Sequence, residues 1–355
     1  MFINRYYLLN ICFAILVLGP AFGADRAATV TTFDVPGATD TFGYSINKAG
    51  TITGFWVDSG NVYHGFLRTS SGAITTFDAP GAATTTGLGT FAFSINTAGA
   101  ITGYYIDAAV IYHGFVRDSS GVFTTFDAPA PGKNTFGRGI NDAGAVTGYD
   151  QDTSSITHGF LRAADGTITT FDAPNAGGGQ SQGTYALGIN TGGAIAGYYA
   201  DQFFVYHGFQ VASGGILTEF DAPGAGTVSD QGTFVAQINT AGTIAGKYTN
   251  AGTHGFVRSS LGAFTSFDVT GVGALGTLPT AINQGGSITG YYGVKGSAYH
   301  GFLRSPAGTI ATFQVTGAGT NNYLGTFPYS INRSGSIAGY YSDSKGKSHG
   351  FVRVP

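Results

Sequence analysis

All seven histidines of the 355-residue chain stand in one motif, His-Gly-Phe, at His64, His113, His158, His207, His254, His300 and His349. Fourteen residues after five of them comes an aspartate, giving the pairs His64 and Asp78, His113 and Asp127, His158 and Asp172, His207 and Asp221, and His254 and Asp268. His300 reaches Gln314 by the same count. Imidazole beside carboxylate is the chemistry of general bases and of metal ligation. A catalytic centre, however, needs one convergent set of groups, and a copy in every repeat reads as a folding constraint. A metal ion would need several of these side chains within a few ångströms, and the repeat spacing holds them apart. No metal, cofactor or catalytic role is therefore assigned to them.

The spacing implies the element that positions each pair. Residues 63–80, YHGFLRTSSGAITTFDAP, read as two strands folded back at Ser70-Ser71-Gly72. A three-residue loop closing on Gly fits a type I turn with a bulge, where Gly supplies positive φ. An even separation then sets His and Asp directly opposite, on one face. An imidazole–carboxylate hydrogen bond is expected in each hairpin, worth about 1.5–3 kcal/mol when well formed.

A second ruler gives the architecture. Ile-Asn-x-x-Gly recurs at Asn47, Asn96, Asn141, Asn190, Asn239, Asn283 and Asn332, with steps of 49, 45, 49, 49, 44 and 49 residues. Asn and Gly at the first and fourth positions open another tight turn between alternating strands. Each repeat thus carries four strands, in the first repeat a over 42–47, b over 51–56, c over 63–68 and d over 73–78, the signature of propeller blades. The fold expected is all-β: a seven-bladed β-propeller of four-stranded antiparallel blades, one domain over 24–355. The repeats fall near 31–74, 75–123, 124–168, 169–217, 218–264, 265–310 and 311–355. The last repeat ends after its strand c, while residues 28–36, ATVTTFDVP, are a strand d without a strand c. That segment is expected to complete the last blade, with His349 against Asp34.

Composition agrees with an all-β reading. Glycine accounts for 59 of 355 residues without a three-residue period, and the acids are 18 Asp against one Glu, Glu219. Asp suits turns and Glu suits helices. Residues 1–23 read as a secretory signal: Arg5, an apolar stretch over 8–18 too short to span a bilayer, and Ala21-Phe22-Gly23. The only Cys, Cys12, falls inside it, so disulfides and thiol chemistry are excluded from the mature chain. Subtracting Arg5 takes the formal charge from −3 to −4, with no basic stripe for nucleic acid. A secreted or extracellular location is expected, the periplasm being the alternative, with no membrane span in the mature chain and a monomeric state.

The repeated INxxGxIxGxY…HGFLR…TTFDxPG pattern resembles the HAF-repeat family, the probable extracellular repeats of bacteria, over essentially all of residues 31–355. Here the middle letter of the name motif is Gly, as at Gly65 and Gly114. The resemblance implies secretion and a propeller-like repeat architecture. It implies no reaction and carries no catalytic residues.

Function is sought where the repeats vary. The b–c and d–a connections share one face and differ from unit to unit, and binding usually lives on varied loops of a fixed scaffold. Trp56, Tyr105, Tyr199, Tyr292 and Tyr341 at the ends of strand b, and Phe203 in a loop, are candidates to stack on a ligand such as a sugar; packing between blades is the competing reading of each. Arg138 and Gln237 break the template of strand a, the strand lining the channel. Asp150 and Asp152 sit at the third b–c loop, Lys247 replaces Tyr, and Glu219 replaces Thr. These are the candidate enzyme residues, against drift among repeats. A single Glu excludes a Glu–Glu glycosidase pair. Three functions follow: a binding or adhesion scaffold for a glycan or cell-surface polymer, with multivalent lectin-like sites; a polysaccharide hydrolase or lyase acting from the channel mouth; or a structural surface protein. Repeat regularity favours the first.

Overall fold

The computed structural model describes residues 28–129, 132–270, 276–293 and 296–355, and the leader at 1–23 lies outside them. Among the described residues are 28 strands and no helix. The four-stranded order recurs throughout; it first appears as Asp40–Ile46, Ile52–Val57, Tyr63–Arg68 and Ile74–Phe77, paired antiparallel in sequence. Thr29–Phe33 pairs antiparallel with Ser348–Val354, Thr29 opposite Val354 and Phe33 opposite Gly350. The strand d at the head of the described chain thus lies beside the strand c at its tail. As hydrogen-bonded sheets the assembly stays open, in runs of eight, twelve and eight strands.

Each unit buries both of its faces, which explains residue choices that a two-layer sheet would not need. The Phe of every His-Gly-Phe is fully buried, from Phe66 to Phe351. The Gly before it is required because a Cβ at Gly65 would lie inside the Phe77 ring. At Gly89, where φ is +129°, one parallel bridge to Tyr63 joins neighbouring units, and a Cβ would collide with the Tyr63 carbonyl.

Three contacts bind unit to unit. A strand-a threonine accepts the buried main-chain N–H that follows each strand d, as Thr90 Oγ1 does from Ala79 at 3.0 Å and Thr41 Oγ1 from Val35 at 3.1 Å. On the outside, the last Arg of strand c lies over a Phe of the preceding strand d: Arg68 over Phe33 at 4.8 Å, Arg117 over Phe77 at 4.8 Å, Arg353 over Phe313 at 5.2 Å. The fourth unit has Val211 in that place, and Gln210 beside it accepts from Arg258 Nη1 at 3.2 Å. On the inside, each motif Asn donates Nδ2 to the main-chain oxygen of the next: Asn47 to Asn96 at 3.2 Å, and so on round to Asn332, which donates to Asn47 at 3.1 Å. Asn47 Oδ1 meanwhile accepts from Ala49 and Thr51, holding its own turn. Strand a of each unit packs against strand a of both neighbours, Asp40–Ile46 against Gly325–Ile331 included.

Candidate functional site

The histidines sit where the hairpins put them. Nδ1 faces the strand-d carboxylate at 2.9 Å for Asp78, 2.8 Å for Asp127, and 2.9 Å for each of Asp172, Asp221, Asp268 and Asp34. The sequence reading missed a second carboxylate. Nε2 lies 3.6 Å from Asp58, 3.5 Å from Asp107, 3.9 Å from Asp152, 3.7 Å from Asp201 and 3.6 Å from Asp343. These aspartates begin the b–c loops and accept two loop N–H groups, as Asp201 Oδ1 does from Phe203 and Val205. Those main-chain bonds, led by Val62 and Ile111, hold Asp58 and Asp107 below the usual carboxylate range. In five units the imidazole therefore bridges a loop and a strand. Among the described residues, no group of three or more His, Cys, Asp or Glu has the geometry of a metal site.

The rings proposed for a ligand are occupied. Trp56 stacks on His64 at 4.5 Å, Tyr105 on His113, Tyr199 on His207 and Tyr341 on His349 at 4.9 Å, and Tyr292 on His300 at 5.3 Å. Their neighbours one residue earlier, such as Phe55 and Tyr104, fill the opposite layer among Phe91, Phe93 and Phe42. Adjacent residues do point to opposite faces, but each face meets other rings: Tyr105, Tyr199 and Tyr341 are buried, and Trp56 and Tyr292 are partly buried. Phe203 is the exception, 67% exposed.

The template-breaking residues separate. Arg138 and Gln237 line a central cavity together; Asp150 and Asp152 do not line it. Asp152 proves to be the ordinary loop aspartate, accepting from Ser154 and Ile156. Asp150 stands opposite His158, in the place of the stacking ring. It is buried, neither oxygen has a protein partner, and burial pushes it up to about 6 despite His158. Lys247 lies over Phe234 at 5.1 Å, and burial lowers its pKa.

Glu219 has a different setting. It accepts from Asn175 N at 3.1 Å and Nδ2 at 2.6 Å, tying strand d of one unit to the d–a loop before it. Around this pair opens a crevice of about 670 Å³ on the varied-loop face, lined by Tyr199, Asp201, Gln202, His207 and Asp221 as well. Burial, then Glu219 and Asp221, raise the Tyr199 phenol, which stays protonated. The Asp221 hydrogen bond, against burial, raises His207, with Asp201 adding to it. A site visible from sequence only as one odd Glu is thus a walled, acidic, amide-bearing crevice.

No protein-family model matches the chain, and no curated protein matches it either. Solved structures do resemble it. Virginiamycin B lyase from Staphylococcus aureus superposes with TM-score 0.60 at 13% identity, over 92% of this chain and 100% of that one. A prolyl endopeptidase superposes with TM-score 0.56 at 13% identity, over 92% of this chain and 50% of that one. The lyase is a β-propeller, and this chain is all-β with repeated four-stranded units. This chain has the β-propeller fold. At these identities the likeness of the propellers concerns the fold alone.

Proposed function

We propose that the chain is a secreted, monomeric, seven-bladed propeller of the HAF-repeat kind that serves as a binding and adhesion scaffold, taking neutral carbohydrate in the Glu219 crevice. Closure is supported by the pairing of Thr29–Phe33 with Ser348–Val354 and by the asparagine chain that returns from Asn332 to Asn47. The observation that carries the binding reading is the crevice itself. Carboxylates accept from sugar hydroxyls, the amides of Asn175 and Gln202 both donate and accept, and Phe203 beside Gln202 offers an exposed ring. Weaker sites at the corresponding loops of other blades would add avidity.

Glu219→Thr tests this without endangering the fold, because Thr76, Thr125 and Thr170 hold the same place in other blades. The full chain is screened on a glycan array and titrated with the hits. Binding that falls about tenfold or more in the variant, at unchanged melting temperature, supports the site. A folded chain that binds no glycan would end the reading.

A further inference from the structure

The central channel is built in tiers, and the tiers obey different rules. Asn is identical in all seven repeats, and so is the Ile before it. Three residues before the Asn, the seven copies are Tyr44, Phe93, Arg138, Leu187, Ala236, Thr280 and Tyr329. The chain keeps its closing tiers uniform and makes this one asymmetric. Each strand a–b pairing slips at a β-bulge here, between Gly43 and Ser45 in the first unit. The bulge lets both Tyr44 and Ser45 face the channel. The resulting cavity is about 290 Å³, with Tyr329, Tyr44, Phe93 and Arg138 on one side and Leu187, Ala236 and Thr280 on the other.

Its chemistry is one-signed. Among the described residues no Asp or Glu lines it, and Arg138 is the one charged residue that does. Among the described residues no carboxylate lies within ion-pair distance of Arg138; its guanidinium rests over the Phe93 ring at 4.3 Å. Such stacking occupies a face of the planar group and leaves its in-plane N–H donors unused. The serines beside it also present donors. Ser45, Ser94 and Ser330 each accept from a main-chain N–H of the next unit, at 3.3, 3.4 and 3.3 Å. Their hydroxyl protons remain to be given.

We infer that this cavity is an anion site, distinct from the Glu219 crevice, for a compact ring bearing a carboxylate. The carboxylate meets the Arg138 fork and the serine hydroxyls. The ring packs on the aromatic wall and faces Ala236. Arginine suits a planar carboxylate because two parallel N–H groups can reach both oxygens. Two sources share this chemistry: a free aromatic acid and the uronate of an acidic polysaccharide.

Isothermal titration of the full chain uses benzoate and glucuronate as probes, with benzyl alcohol and glucose as their uncharged controls. At least one acid should bind, about tenfold or more tighter than its control. Benzoate alone points to a free aromatic acid, and glucuronate alone to an acidic polysaccharide. Arg138→Leu is the decisive variant, since Leu187 already holds that position in the next unit. It should lose acid binding while keeping its melting temperature, and Arg138→Lys should keep part of it. No binding of either acid up to about 10 mM by a folded chain, or equal binding by Arg138→Leu, overturns the inference.

Discussion

The side-chain amide of Asn332 donates to the main-chain oxygen of Asn47 at 3.1 Å across 285 residues of chain, in the same way that Asn47 donates to Asn96. One residue type thus does two things at each position. Its carbonyl holds a turn, and its amide reaches the neighbouring unit. Asn332→Ala should remove both and leave buried main-chain groups unpaired, costing about 1–3 kcal/mol in chemical denaturation. A variant as stable as the parent would mean that the amide contact contributes nothing.

Asp150 replaces a stacking ring, and its stability contribution depends on pH with a definite sign. The buried carboxyl is held up at about 6, above an ordinary value near 3.9. A raised acid favours the folded chain fully below about pH 3.9, and that contribution is lost as the pH rises through about 6. Asp150→Asn should therefore stabilise the protein at pH 7 by about 1–3 kcal/mol and flatten the loss between pH 4 and 6. Denaturation across that range checks it; a variant less stable at pH 7 would contradict it.

His207 behaves oppositely in charge and alike in direction. Its pKa is raised, chiefly by the Asp221 hydrogen bond. The stability this gives is complete below about pH 6.5 and is lost as the pH rises through the folded value. Asp221→Asn should lower the His207 titration followed by NMR and weaken the pH dependence of stability above about 6.5. An unmoved His207 titration would remove the assigned cause.

What could be read in the sequence was whatever repeats within one hairpin. The fourteen-residue gap brings His64 to Asp78 because strand geometry alone sets it. The Asn47 turn is local in the same sense. The second carboxylate on each imidazole was hidden, because Asp58 reaches His64 only through the shape of a loop. The aromatic pairs misled for a related reason: one ring of each pair stacks on an imidazole, a contact that depends on both faces of a unit being covered. The Glu219 crevice shows the limit most plainly, since Asn175 lies 44 residues away and belongs to the preceding unit's loop.

The proposed closure into a wheel is tested most directly by a cross-link between the two ends of the described chain. Thr29 and Val354 stand opposite each other, both exposed, on strands that antiparallel pairing places about 5 Å apart. In a chain carrying Cys12→Ser, the double variant Thr29→Cys with Val354→Cys has its only two thiols at this point. Mild oxidation should give a quantitative intramolecular disulfide in the folded monomer, together with a higher melting temperature. Thiols that stay free in folded protein, or that join only between molecules, would contradict the closure.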